Sequence, residues 1–386
     1  MERVVVLGGG FGGLRAAQRL ARRTKRDDME IVLIDRSAYH TLRPKLPQAI
    51  GGRIACAVHL PFTEVLAGTG IRFIQADITA IDPDRRRVAW KDGELEADAL
   101  IVALGGEAAP GASVTGAAEH ALPVWSFDQA CAIRRRIAFM AELERRGRAV
   151  NNHVVIIGGG FVGTEIAAEV RLRLRRLGSR GTTTLIEQAD RLLPRLSERA
   201  GKTVERRLAE LGVRVLTGVK VASVEAEGVM LSDGRRLPAA TVIWAGGVRG
   251  AGLLAKCGLT DATGRVPVLP TLESIVYPGI WAIGDCAYVV GRPASAAEPS
   301  AHRAEREAKT AAANVAAYLR GQPQRIHPEE ANKYLLGLGP GYGVLEAPPL
   351  PILAGRIAAW LKEFVMIRHV FSLGGWRLVR AVSLPL

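Results

Sequence analysis

Cysteine is scarce in this chain: there are four among 386 residues, Cys56, Cys131, Cys257 and Cys286, with no C-x-x-C and no close pair. That scatter argues against a disulfide framework and against a zinc site; reduced thiols in a cytosolic protein are expected, and no metal. No uninterrupted apolar run reaches 18 residues, which excludes an integral membrane protein built on a spanning helix. The chain opens directly into an apolar strand pattern, so no secretory leader is expected. Acidic residues are in deficit, 38 against 52 Lys and Arg, for a net charge of +14 and an isoelectric point near 10.1. Such a surface attracts nucleic acid, an acidic membrane or phosphorylated cofactors, and an arginine-rich genome would produce the same excess. Glycine is plentiful at 43 residues, within a hydrophobic fraction of 48%. That composition fits a globular α/β protein of two or three domains and argues against disordered or fibrous classes.

The glycines are most informative at Val4 to Gly13, VVVLGGGFGG. A β-branched apolar run reads as a buried parallel strand, and Gly8, Gly10 and Gly13 follow at the spacing G-x-G-x-x-G before a helical pattern. Gly8 permits the tight turn, Gly10 lets a pyrophosphate approach the backbone, and Gly13 lets the helix pack on the strand. The phosphates then meet the positive end of that helix. A second apolar run, Glu30 to Ile34, ends in Asp35, 22 residues past Gly13, near the spacing at which a carboxylate meets a ribose hydroxyl. A strand-end cap is the alternative role for Asp35.

The motif returns. VVIIGGGFVG, Val154 to Gly163, repeats it 150 residues on, with Gly158, Gly160 and Gly163 in the matching places and its own strand-end acid, Glu187. Two copies of a dinucleotide-binding fold follow from this. Glu187 would hydrogen-bond a ribose 2′-OH and repel a 2′-phosphate, favouring NADH over NADPH, with Arg191 close enough to work against that preference. Between the motifs, 37–54 reads as a loop, Lys91-Asp92-Gly93 as a turn between β segments, ALIVALGG (Ala99 to Gly106) as a buried strand running into glycines, and Ser126 to Arg146 as a basic helix. After them come a helix over Glu198 to Leu211, the strand-like TVIWAGG (Thr241 to Gly247), IWAIGDC (Ile280 to Cys286) and a helix over Ser300 to Arg320. The segment from Leu350 carries five Lys or Arg and one Glu. On a helix, Leu353, Ile357, Trp360, Leu361, Phe364, Ile367 and Phe371 form one stripe, with Lys362 and His369 opposite and Arg368 intruding. A basic amphipathic helix with Trp360 and Trp376 suits an anionic bilayer surface; packing on the core or on a second subunit, as in a homodimer, is the alternative.

Laid out together, VVVLGGGFGGLRAA, LIDRSAYHTLRPKLPQA, VVIIGGGFVGTEIAAE, TVIWAGGVRG and WAIGDCA stand in the order found in flavoprotein reductases with two dinucleotide-binding domains. The chain resembles, within these, the type II NADH dehydrogenases (NADH:quinone oxidoreductases). The resemblance implies an α/β fold of two Rossmann-like dinucleotide-binding domains, for FAD and NAD(P)H, with a C-terminal amphipathic helical membrane-association region. Its implied boundaries are 1–115 and 263–330 for the FAD-binding domain, 116–262 for the NADH-binding domain and 331–386 for membrane association or dimerisation. It assigns Gly8, Gly10, Gly13, Asp35 and Asp285 to FAD, and Gly158, Gly160, Gly163 and Glu187 to NADH. Phe11, Gly12, Arg36, Arg43, Ala103, Gly105, Gly246 and Gly284 are further cofactor-binding candidates. Glu165 matches a glutamate near the flavin and the acceptor; an acid in the first helical turn, favoured by the helix dipole, is the other reading. Where the family's quinone-site helix reads A-Q-x-A-x-Q, this chain has AHRAER, putting His302 and Arg306 in place of amides. His302 is the candidate to donate a hydrogen bond or proton to a quinone. Lys45 and Pro47 also depart from the apolar continuation of the family's YH-loop.

The resemblance thus implies an FAD-dependent enzyme oxidising NADH and reducing a membrane quinone without pumping protons, held peripherally on the cytoplasmic side of the cell membrane. A soluble flavin reductase with a protein or oxygen acceptor is the second reading, motivated by His302 and Arg306. A third resembles the apoptosis-inducing-factor-like flavoproteins and rests on net charge alone; no basic run interleaved with aromatics is present, so no nucleic-acid partner is expected.

Overall fold

The computed structural model describes residues 1–23, 29–54, 58–108, 114–148, 150–293, 299–329 and 333–382. Cys56 lies outside the described residues. The chain divides into two compact units. The first is Met1–Thr41, His59–Glu107 and Val248–Glu330; the second is Leu42–Val58, Ala108–Gly247 and Ala331–Leu386.

The first unit is built on a parallel sheet in the order Ile280–Ala282, Ala99–Val102, Glu2–Leu7, Met29–Asp35, Arg72–Gln75. Its central strand is apolar because both of its faces are covered: Val4, Val5, Val6 and Leu7 are wholly buried, and they pair with Ile31, Val32, Leu33 and Ile34 on one side and 99–102 on the other. The helix Phe11–Ala21 follows directly and packs against the helix Ala301–Leu319. Small residues allow that approach; a Cβ on Gly12 would lie 3.5 Å from the Ala304 Cβ. Ser300 caps the later helix by accepting from Arg303 N–H.

The second unit repeats the plan, with strands ordered Leu122–Pro123, Thr241–Trp244, His153–Ile157, Thr182–Ile186, Val213–Leu216, all parallel. The helix Phe161–Arg176 follows the central strand. Ser126 and Gln129 form a reciprocal capping box on Phe127–Arg145, and Ser197 caps Glu198–Leu211. Each unit also carries a three-stranded antiparallel meander: Ile78–Asp82, Arg87–Trp90 and Gly93–Glu96 in the first, Val221–Glu225, Gly228–Leu231 and Arg236–Pro238 in the second.

Two local expectations need correction. The stretch 37–54 is not all loop: a single 3-10 turn, Arg43–Lys45, leads into a helix, Leu46–Gly51, with Pro47 in its first turn, where the missing N–H costs nothing. Leu46, Ala49 and Ile50 join the core of the second unit, which is the reason this segment folds rather than lying open. At the other end, Leu353 belongs to a strand, Leu353–Gly355, of a sheet with Tyr334–Gly337 and Gly343–Glu346. The helix begins only at Arg356 and runs to Ala381, broken where Gly374 and Gly375 leave helical angles. Among the described residues no helix is long and apolar enough to cross a membrane.

Candidate functional site

In the first unit the strand-to-helix turn has the geometry that its three glycines require. Gly8 sits at φ +96°, and a Cβ there would come within 2.4 Å of the Ala103 carbonyl oxygen. A Cβ on Gly13 would lie 1.8 Å from the Gly8 carbonyl oxygen, so the helix starts where only glycine fits. Gly10 differs, since a Cβ there meets nothing within 4 Å. It caps the helix with extended backbone and no side-chain hydrogen bond. This open, uncapped helix start is the space a pyrophosphate needs, so the residues present fit a dinucleotide. Asp35 ties the turn together: Oδ2 accepts from Gly9 N–H at 2.6 Å and Oδ1 from Ser37 N–H at 2.7 Å. The strand-end capping role is therefore present in Asp35. Phe11 stacks edge-on against His40, whose Nδ1 lies 2.9 Å from the Gly9 carbonyl oxygen. Arg36, beyond Asp35, is exposed.

Gly105 and Gly284 close the same unit's cradle, at φ +69° and +75°. The Gly284 turn is held by a pair that the sequence reading did not single out. Glu307 Oε2 accepts from Gly284 N–H at 2.7 Å, Arg303 Nη2 donates to the Gly284 carbonyl at 2.9 Å, and the two side chains bond each other at 2.8 Å. Burial pushes the Glu307 carboxyl above its usual range, against the pull of Arg303 and Gly284 N–H. Arg303 also lies 3.8 Å from Asp285. Arg303 lies within AHRAER and Glu307 directly after it, beside His302 and Arg306. His302 is exposed on the same helix, and Arg306 Nη2 donates to the Pro328 carbonyl at 3.4 Å. Cys286, next to Asp285, is fully buried, and burial raises its thiol to about 11, which leaves it unreactive.

The second unit repeats the cradle. Gly158 has φ +107°, a Cβ on Gly163 would lie 1.8 Å from the Gly158 carbonyl oxygen, and Gly160 faces open space. Glu187 Oε2 accepts from Gly159 N–H at 2.6 Å and Oε1 from Ala189 N–H at 2.8 Å. Arg191 is turned back on its own loop, donating to the carbonyls of Leu193, Pro194 and Leu196. Gly246 is exposed past the end of Thr241–Trp244. Arg43, also in this unit, lies over the Trp125 ring at 4.3 Å.

Glu165 is not an acid of the first helical turn; that turn has none. It is buried on the fifth residue of Phe161–Arg176 and bonded through Oε1 to Lys362 and, at 2.8 Å, to Gly337 N–H. Lys362, assigned to the polar side of the tail helix, faces inward for this reason. Around the pair lies a cavity of about 500 Å³, whose lining includes Gln48, Arg53, Glu169, Tyr342, Trp360 and Glu363. Lys45 is completely buried beside it and pairs with Glu363, which also accepts from Gln48 at 2.8 Å. Burial lowers the Lys45 ammonium from its usual value, while Glu363 opposes that shift. On the opposite side of the tail helix, Trp360 is 55% and Trp376 63% exposed, together with Ile357, Phe364 and Phe371. Much of the apolar stripe is therefore exposed, whereas Lys362 and His369 face the protein; Arg356, Arg368, Arg377 and Arg380 are exposed.

Comparison with known proteins agrees with this architecture. Residues 2–308 match the family described as pyridine nucleotide-disulphide oxidoreductase. A curated relative, the type II NADH:quinone oxidoreductase of Staphylococcus aureus (strain NCTC 8325 / PS 47), is 28% identical over 393 residues, covering 97% of this chain and 96% of that protein. Among solved structures, NDH2 from Plasmodium falciparum in complex with NADH superposes with a TM-score of 0.85 at 19% identity, covering 99% of this chain and 96% of that one. The sulfide:quinone oxidoreductase of Aquifex aeolicus gives 0.81 at 21% identity, over 97% of this chain and 92% of that one.

Proposed function

The chain belongs to the pyridine nucleotide-disulphide oxidoreductase family and is an oxidoreductase, and we propose that it oxidises NADH through FAD and passes the electrons to a membrane quinone without pumping protons. When bound, FAD accepts a hydride from NADH and returns electrons to a second acceptor. The first unit's cradle, with Gly8, Gly10, Gly13, Asp35, Gly284 and Asp285, would hold FAD. The second, with Gly158, Gly160, Gly163 and Glu187, would hold NADH. The carboxylate of Glu187 stands at the end of its strand and the Arg191 guanidinium is committed to its own loop, which favours NADH over a 2′-phosphorylated nucleotide.

The observation that carries a lipid-borne acceptor is the tail helix. Its exposed Ile357, Trp360, Phe364, Phe371 and Trp376 form an interfacial face of the kind that lies in a headgroup layer, and a net charge of +14 favours anionic lipid. Ile357 and Trp360 also line the cavity above Glu165, so one helix offers a lipid-facing surface and one wall of a pocket. Peripheral attachment at the cytoplasmic face of the membrane follows from this reading. The test is sedimentation with vesicles containing anionic phospholipid: the full chain should co-sediment and Trp360→Ser/Trp376→Ser should not. An equally membrane-bound variant would remove the support. A homodimer covering the same stripe would instead show as a doubled mass in lipid-free solution.

A further inference from the structure

The excess positive charge belongs to one unit. The first has 22 Lys and Arg against 22 Asp and Glu, and the second has 30 against 16. On the two long helices of the second unit, Phe127–Arg145 and Phe161–Arg176, several arginines are spent on carbonyl groups: Arg136 bonds that of Ala240, Arg171 those of Leu211 and Gly181, and Arg175 that of Leu211. Arg134, Arg173 and Arg176 are placed differently. They converge on the C-terminal turn of Leu46–Gly51, where Arg173 Nη1, at 3.5 Å, and Arg176 Nη2 share the single carbonyl of Gly51. A Cβ on Gly52 would lie 2.2 Å from Arg173 Nη1 and 3.7 Å from Arg134 Cδ, so both side chains pass over that exposed glycine. Arg134 Nη2 reaches the Cys131 sulfur at 3.7 Å. Arg173 Nε is buried and has no hydrogen-bond partner among the described residues. Glu169, whose carboxyl feels the charge of Arg176, is bonded by Arg53 at 2.7 Å instead. Burial first, then the charges of Arg176 and Arg134, lower the Arg173 guanidinium from its usual value. One cation suits a helix C-terminus, and three gathered there repel one another unless an anion lies between them.

We propose that Arg134, Arg173 and Arg176 form a binding site for a phosphate group, separate from both dinucleotide cradles. Gly160, where the second unit's cradle opens, precedes Arg173 by 13 residues on the same helix, a distance of about 20 Å along its axis. The two anion sites therefore do not overlap. Guanidinium forks meet phosphate oxygens in pairs, and a phosphomonoester with two negative charges matches three cations better than a carboxylate does. Arg176 is exposed and Arg134 and Arg173 are half-buried, so the donors are partly ordered and still open to solvent. A free phosphorylated molecule and a phospholipid headgroup present the same chemistry to this site.

The experiment uses the FAD-loaded full chain with saturating NAD+, so that both cradles are filled, and titrates inorganic phosphate by calorimetry in chloride buffer at fixed ionic strength. Phosphate should bind, and Arg134→Gln/Arg173→Gln should weaken it about tenfold or more, in line with loss of charge-assisted hydrogen bonds. Arg135→Gln/Arg148→Gln removes the same charge from exposed positions of the same unit and should bind phosphate as the wild type does. Where Arg134→Gln/Arg173→Gln loses its flavin, Arg176→Gln at an exposed position gives the same reading in a smaller step. A second arm separates the sources, by flotation with phosphatidylcholine vesicles carrying phosphatidic acid or, at equal surface charge, phosphatidylserine. A preference for phosphatidic acid that the cluster variants abolish assigns the group to a headgroup; phosphate binding without that preference assigns it to a free molecule. Absence of both, or equal weakening by the cluster and control variants, overturns the proposal. Neither arm depends on quinone reduction.

Discussion

The two dinucleotide cradles are near copies at the turn and unlike on the back of the helix. Gly8 and Gly158, Gly13 and Gly163, and the acids Asp35 and Glu187 keep the same angles and contacts, down to a 2.6 Å bond from the second glycine's N–H in each. One residue into the helix they part. Gly12 lies against Ile283 and Ala304, where a Cβ would be crowded, whereas its counterpart Val162 is 46% exposed. The first helix is covered by the alanine-rich Ala301–Leu319, and the second puts buried acids against basic partners. The close approach of the helix start to the first glycine constrains the turn in both units, and the helix behind it is free to serve whatever each unit packs against.

The largest expected effect breaks that difference at its charged side. Lys362→Met leaves Glu165 buried without its counter-charge and should cost about 3 kcal/mol in urea unfolding. Glu165→Gln together with Lys362→Met should recover most of that loss, and additive losses would show that the two residues are not a pair.

Acid should discriminate between the units next. His327, in the first unit, is buried near Arg306, Arg292 and Arg303; burial first, then those charges, lower it from 6.5 to about 4. The unfolded chain therefore binds a proton below pH 6.5 that the folded chain refuses until about pH 4. Stability is lost as pH falls through that window, by up to about 3 kcal/mol, and is unaffected by this group above it. His327→Gln should flatten the slope of stability between pH 6.5 and 4; an unchanged slope would mean other groups set it.

The similarity of the two turns is tested by matched alanines. Gly13→Ala and Gly163→Ala force the same 1.8 Å clash, a strain of about 1–3 kcal/mol. The first should purify with little flavin, and the second should keep its flavin but need more NADH to bleach it. Exchange of these phenotypes would reverse the cofactor assignment. Smallest is the strand-end acid: Glu187→Gln should reduce the preference for NADH over NADPH about tenfold in kcat/KM, about 1.4 kcal/mol.

What was legible in the sequence follows the same division. The turns could be read because a close helix start at Gly13 and Gly163 leaves no room for a side chain, and the helices over Ser126 to Arg146, Glu198 to Leu211 and Ser300 to Arg320 because their pattern is local. The tail's stripe was readable as a pattern, with Lys362 and His369 opposite. That pattern did not reveal that Lys362 faces the protein, since its partner Glu165 is 197 residues away. The Arg303–Glu307 clamp and the helix Leu46–Gly51 escaped for the same reason: long-range packing decides them.

The most direct test of the central claim is steady-state NADH oxidation by the purified, FAD-loaded chain, first with a soluble ubiquinone or menaquinone analogue and then with oxygen alone. Fast turnover that depends on the quinone is expected. Rapid bleaching of the flavin by NADH with no acceleration by quinone would contradict it, leaving the fold intact and moving the acceptor to a soluble protein.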